Sequence, residues 1–243
     1  MIASREALLR YCGWLIHLYT AAGAITAILA LQFIASGAFR TAFIVLGIAL
    51  FVDATDGSLA RAVQIRERIP IFDGATLDNI VDYLNYVAVP ACLMLRAELL
   101  PAGKLGFGLV SLLMLASCYG FCRIDAKTDD HYFRGFPSYW NLVALYLYCW
   151  RLPPPINGVI VLVLAVMVFA PIKFIYPNRT VPFRRLTLTL CAIWAAATAA
   201  LVFELPATNP LLLYTSLGFI VYYFVMSLLL QTHFSGWSRL GTA

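Results

Sequence analysis

Apolar residues gather in runs of about 20, the length that crosses a bilayer as a helix. Short stretches rich in Arg, Lys, Asp, Gly and Pro separate them. Eight such runs fall near 12–36, 40–62, 76–99, 104–123, 137–151, 155–176, 184–204 and 209–231; the fifth is short. The pattern predicts an all-α polytopic integral membrane protein with about eight transmembrane helices, forming a single membrane-embedded domain over 1–243. Arg5, Glu6 and Arg10 make a short polar start suited to the membrane surface. The first apolar run is too long for the core of a cleavable leader and lacks a small-residue cleavage site, so it reads as an uncleaved first span. There is no internal sequence repeat.

Composition agrees. Of 243 residues, 62% are hydrophobic and 12% charged, and the mean hydropathy is +0.84. That excludes an ordinary soluble protein, and no polar stretch is long enough for a separate soluble domain. The net charge of +5 comes from Lys and Arg placed singly or in pairs between apolar runs. This is the distribution that sets topology, not one that binds nucleic acid. With a cytoplasmic N-terminus, that side would hold 13 of the 17 basic residues: Arg5, Arg10, Arg61, Arg66, Arg68, Arg123, Lys127, Arg134, Lys173, Arg179, Arg184, Arg185 and Arg239. Arg40, Arg96, Lys104 and Arg151 would lie opposite. Both termini are therefore expected in the cytoplasm. The six cysteines, Cys12, Cys92, Cys118, Cys122, Cys149 and Cys191, show no metal-binding spacing and read as free thiols in packed helices.

The chemistry concentrates between Asp53 and Asp82. Asp53 and Asp56 stand three residues apart at the end of the second run, and Asp78 and Asp82 four apart in the third. Each pair shares one helix face. Four uncompensated carboxylates cannot gather in an apolar protein, and hard divalent cations are the usual answer. Gly57 and Gly74 would let a ligand approach the backbone, and Arg61 could pair with phosphate. Two plainer readings compete: pairing with Arg61, Arg66 and Arg68 at a polar boundary, or an ion pathway in a coupled transporter. A transporter would be expected to show repeated or broken helices, which the sequence does not reveal.

The stretch resembles the signature of the CDP-alcohol phosphotransferases, D-x2-D-G-x2-A-R-(x)n-G-x3-D-x3-D. All eight fixed positions are present: Asp53, Asp56, Gly57, Ala60, Arg61, Gly74, Asp78 and Asp82. The spacer between Arg61 and Gly74 holds 12 residues, longer than in most of the family. That length, and the segment from Arg123 to Asn141, resemble the bacterial phosphatidylcholine synthase branch. The resemblance implies transfer of a phosphatidyl group from CDP-diacylglycerol to choline, releasing CMP, at the cytoplasmic side of a bacterial inner membrane. It implies two divalent ions, Mn²⁺ or Mg²⁺, with Asp53, Asp56 and Asp78 on the first and Asp82 helping to hold the second. Asp82 is the expected general base. Gly57, Ala60, Arg61 and Gly74 would form the CDP-diacylglycerol pocket. Relatives are often dimers, which leaves a homodimer open. Serine, inositol or glycerol phosphate are the competing acceptors, although the third run offers no extra basic pocket for a phosphorylated one.

Choline carries a fixed positive charge that aromatic faces recognise. Tyr83, Tyr86, Tyr139 and Trp140 are the candidates, against the alternative of an interfacial aromatic belt. His17 and Thr20 read either as neighbours of the nucleotide or as hydrogen-bonding partners of another helix. Asn85 stands under a similar choice, with orientation of a carboxylate as its functional reading. The segment from Asp125 to Arg134 reads as a solvated loop or as a lid bringing Lys127 or Arg134 to phosphate. Arg179, Arg184 and Arg185 are expected to meet anionic headgroups.

Overall fold

The computed structural model describes residues 2–126, 128, 132–176 and 183–234. Lys127, Arg179 and Arg239 lie outside the described residues. The chain divides into two compact units, Met1–Ala97 with Trp140–Leu145, and Glu98–Tyr139 with Tyr146–Ala243.

The first unit starts with α1 (Ile2–Ala21) and α2 (Gly23–Ala35), which together give one apolar stretch of 31 residues from Arg5 to Ala35. After a turn at Gly37, α3 runs from Phe39 to Ala62 and packs along both. Its buried face is built from Ala42, Phe43, Val45, Leu46 and Ala49, and small residues let helices approach closely. The 12-residue spacer is folded. It contains a one-turn helix, α4 (Ile65–Arg68), whose Ile65 together with Ile69 is buried over Gly13 of α1. Arg68 ties the turn down by donating to the Val63 carbonyl at 2.8 Å and pairing with Glu6.

Next comes α5 (Gly74–Tyr83), which passes through a π-helical turn, Leu84–Ala88, into α6 (Val89–Arg96). The wider π turn carries an additional residue in the helical ladder. Asn85 stands in it with its amide donating to Val81 O at 3.0 Å and Gly23 O at 2.8 Å, while its own oxygen accepts from the Thr26 hydroxyl at 3.1 Å. That network pins the turn to α2.

The second unit contains α7 (Lys104–Cys122), α9 (Pro154–Met167), α10 (Arg184–Glu204) and α11 (Pro210–Phe234); α8 (Trp140–Trp150) contributes its first six residues to the first unit and the rest to the second. Two three-residue strands, β1 (Tyr132–Arg134) and β2 (Lys173–Ile175), pair antiparallel, with Phe133 opposite Phe174. An all-α reading did not anticipate them. They help enclose a small core of Tyr132, Phe174, Ile175, Tyr223 and Leu230. The Trp194 indole donates to the Tyr146 hydroxyl at 3.0 Å, giving a buried polar tip its partner.

Among the described residues, five helices are long and apolar enough to cross a membrane: Arg5–Ala35, Phe39–Ala62, Lys104–Cys122, Arg184–Glu204 and Pro210–Leu230. The expected eight are not all of this kind. The third run is helical but is interrupted by the π turn and carries Asp78 and Asp82. The fifth and sixth shorten to α8 and α9, with Pro153 between them, Pro154 and Pro155 opening α9 and Pro171 beyond it. Large apolar side chains such as Ile25, Phe107, Leu115 and Leu211 remain outward and exposed, as lipid-facing residues do. The protein is an all-α, multi-pass membrane protein. All six cysteines are free.

Candidate active site

On α3, Asp53, Asp56, Gly57, Ala60 and Arg61 follow one another at helical spacing and form a single stripe. Asp78 and Asp82 stand one turn apart on α5. The start of α5 is set by Asp73, whose carboxylate accepts from the backbone N–H groups of Ala75 at 3.0 Å and Thr76 at 3.2 Å, and from the Thr76 hydroxyl at 2.7 Å. This is an N-cap with its orphan donors satisfied. The bond from the Thr76 hydroxyl, followed by the backbone bonds, holds the exposed Asp73 carboxyl below its ordinary range. The Asp-x-x-Thr spacing ahead of the helix was the available sequence signal for this residue.

The two helices bring all four signature aspartates to one cleft, lined also by Thr20, Ala49, Val52, Val81, Asn85 and Tyr86. Asp53, Asp78 and Asp82, all partly buried, each turn one ligand oxygen so that these atoms lie within 4.8 Å of one another. Oxygens sharing a small hard cation at about 2.1 Å stand roughly 3–4 Å apart. The trio is therefore close to what one divalent ion would gather. Asp56, buried in the same cleft, accepts from the Thr20 hydroxyl at 2.7 Å. On the other side, the Tyr86 hydroxyl donates to Asp53 Oδ2 at 2.7 Å.

The remaining candidates are more dispersed. Gly57 and Ala60 are half-buried on the α3 stripe, and Arg61 is exposed, donating to Ser58 Oγ at 3.1 Å. Gly74 lies under the His17 imidazole. That ring is buried in a cluster with Trp14 and Phe72, its centroid 4.5 Å from that of Phe72, and among the described residues its Nε2 has no hydrogen-bond partner. Tyr83 is half-buried, Tyr86 is 3% exposed and lines the cleft, and Trp140 is fully enclosed. Tyr139 belongs to the second unit. In that unit Asp125 accepts from Arg123 at 2.8 Å and from Arg134 at 2.5 Å, and the Arg123 hydrogen bond holds the Asp125 carboxyl below its usual range. Arg184 and Arg185 are exposed at the start of α10.

The fold and cleft describe a membrane-embedded enzyme with an acidic centre split between two helices. The family model for CDP-alcohol phosphatidyltransferase matches residues 15–172, and the chain belongs to that family of phosphatidyltransferases. Its relatives include the phosphatidylcholine synthase of Legionella pneumophila, 35% identical over 224 residues that cover 89% of this chain and 88% of the relative. The phosphatidylcholine synthase of Pseudomonas aeruginosa is 38% identical over 200 residues, covering 82% of this chain and 84% of the relative. That of Borreliella burgdorferi is 36% identical over 180 residues, covering 74% and 76%.

Proposed function

We propose that this phosphatidyltransferase is a phosphatidylcholine synthase, transferring the phosphatidyl group of CDP-diacylglycerol to choline. The observation that carries the chemistry is the convergence of Asp53, Asp78 and Asp82 from two helices on one cleft. The relatives named phosphatidylcholine synthase support choline as the alcohol.

The donor set fits a hard divalent cation, Mn²⁺ or Mg²⁺: oxygen only, partly buried, and otherwise a concentration of like charge. When bound, such an ion offsets charge on the diphosphate and on the departing CMP. Asp53, Asp56 and Asp78 would hold it. Asp82 takes the proton of the choline hydroxyl as that oxygen attacks the lipid-bearing phosphorus. A new P–O bond forms to choline, the P–O bond to CMP breaks, and its electron pair leaves with CMP. An alcohol is a weak nucleophile, so a base at the attacking oxygen matters. Gly57, Ala60, Arg61 and Gly74 extend the site along α3 and the start of α5 toward the nucleotide. Tyr83 and Tyr86 are the aromatic faces closest in sequence to the proposed base and the candidates for the trimethylammonium group. The Lys and Arg distribution supports a cytoplasmic site and cytoplasmic termini, and the bacterial relatives support the inner membrane.

The test is release of CMP by the purified full-length protein supplied with CDP-diacylglycerol, choline and Mn²⁺ or Mg²⁺. Release that needs both choline and the ion is expected. CMP formation independent of choline would set the acceptor assignment aside, and none under any condition would set the enzyme assignment aside.

A further inference from the structure

We propose that Thr20 and Tyr86 are positioning residues that fix the carboxylates of Asp56 and Asp53 in the orientation a divalent ion requires, a proposal that rests on the metal-dependent reading above.

An aspartate side chain on a helix has a broad energy well about its last torsion, so its oxygens are not aimed by the backbone alone. Asp53 and Asp56 are neighbours on α3, and each meets a hydroxyl donor from a different segment. Thr20 Oγ1 on α1 donates to Asp56 Oδ2 at 2.7 Å, with Thr20 7% and Asp56 5% exposed. The Tyr86 hydroxyl, on the π turn after α5, donates to Asp53 Oδ2 at 2.7 Å with Tyr86 3% exposed. Hydrogen bonds from hydroxyls to carboxylates at this distance are short and charge-assisted. Each engages one oxygen and restrains the plane of the carboxylate.

The backbone around each donor supports the role. Thr20 lies one turn after His17 on the same helix, close to the break at Ala22. Tyr86 is held by a turn whose other polar residue, Asn85, is bonded to Gly23 and Val81. The Tyr86 hydroxyl thus sits on backbone that is itself restrained. Outer partners of metal ligands typically matter about 10–100-fold in metal affinity. This gives Tyr86 a function that an aromatic contact with choline would not: its hydroxyl acts through Asp53, and its ring is free of that duty.

The experiment uses Mn²⁺ alone, titrated into the purified full-length protein in detergent, with free ion read by electron paramagnetic resonance and no substrate present. Tyr86→Phe removes the hydroxyl and keeps the ring; Thr20→Val removes the hydroxyl and keeps the shape. Each is expected to weaken Mn²⁺ binding about 10–100-fold, and Thr20→Ser to restore it. In turnover, Tyr86→Phe should raise the Mn²⁺ requirement by a similar factor while the KM for choline stays put. Mn²⁺ affinity within about twofold of the parent in both variants, well below the effect expected of such partners, would overturn the proposal. So would a Tyr86→Phe variant that changes only the KM for choline. Absence of Mn²⁺ binding by the parent protein would instead overturn the metal-dependent reading, and the positioning role with it. A Thr20→Val protein that fails to fold leaves Tyr86→Phe and Thr20→Ser to decide.

Discussion

Gly74 lies so close beneath His17 that a Cβ at position 74 would stand 2.7 Å from Cε1 of the imidazole. No ordinary side-chain contact is that short, so the small residue is required for α5 to approach α1 here. Gly74→Ala is expected to lower stability by roughly 1–3 kcal/mol, the usual cost of forcing an extra carbon into a packed site. His17→Ala made in the same protein should recover much of that loss, because it removes the atom met. Thermal unfolding of the two single variants and the double variant in detergent measures the coupling. Simple additivity would show that the imidazole is not what excludes a side chain at 74.

The four aspartates differ in their surroundings, and the variants should differ too. Asp82 belongs to the close trio with Asp53 and Asp78, whereas Asp56 is buried and accepts from Thr20. Asp82→Asn is expected to lower kcat by at least about 100-fold, the low end for loss of a general base, with CDP-diacylglycerol binding still measurable. Asp56→Asn should weaken metal and nucleotide binding together. Rates across pH and binding isotherms for both variants separate the roles. Substantial Asp82→Asn activity at every pH would remove Asp82 as the base.

The cap at the start of α5 has a pH signature. Because Asp73 is held below its ordinary range by Thr76 and the helix N–H groups, its folded pKa lies below its unfolded one. Its contribution is therefore fully present above the unfolded value of about 3.9 and is lost as pH falls through the folded value. Hydrogen exchange should report steady protection of the first turn of α5 at neutral pH and declining protection below about pH 4. Asp73→Ala should lose that protection at all pH values. An Asp73→Ala protein with parental protection would show that the cap does not hold the turn.

Acceptor choice is tested by competition among choline, ethanolamine, serine and inositol at fixed metal and CDP-diacylglycerol. An aromatic contact with a desolvated trimethylammonium is worth up to about 2 kcal/mol, whereas ethanolamine keeps its water through N–H bonds. Efficient use of choline, weak use of ethanolamine and none of serine or inositol are expected. Preferential incorporation of serine or inositol would leave the family unchanged and remove choline as the substrate.

The acidic centre was legible because its logic is periodic. Spacings of three and four place Asp53 with Asp56 and Asp78 with Asp82 in any helix, and apolar run length announces a membrane protein. What escaped depends on partners distant in sequence. Tyr86 reads as one aromatic among many at an interface, and only the fold puts its hydroxyl on Asp53, 33 positions earlier. Thr20 likewise finds Asp56 only when α1 meets α3. The strands Tyr132–Arg134 and Lys173–Ile175 are too short to leave an alternating pattern. Hydrophobic run length counts eight spans where five described helices meet both length and composition, because it reads through Pro171 beyond α9 and gives α8, 11 residues long, the weight of a span.

That π turn has a consequence for how relatives should be compared. Leu84–Ala88 accommodates an extra residue without breaking the helix. A homologue one residue shorter here could close the turn into regular α-helix and keep the same span. Residues beyond it would keep their faces relative to Asp78 and Asp82, because the wide turn takes up the extra residue within itself. A single-residue gap at this point in an alignment would thus mark loss of the wide turn rather than a shortened loop. Tyr86 stands inside that turn, so such a gap would fall on the very residues that bring a hydroxyl to Asp53.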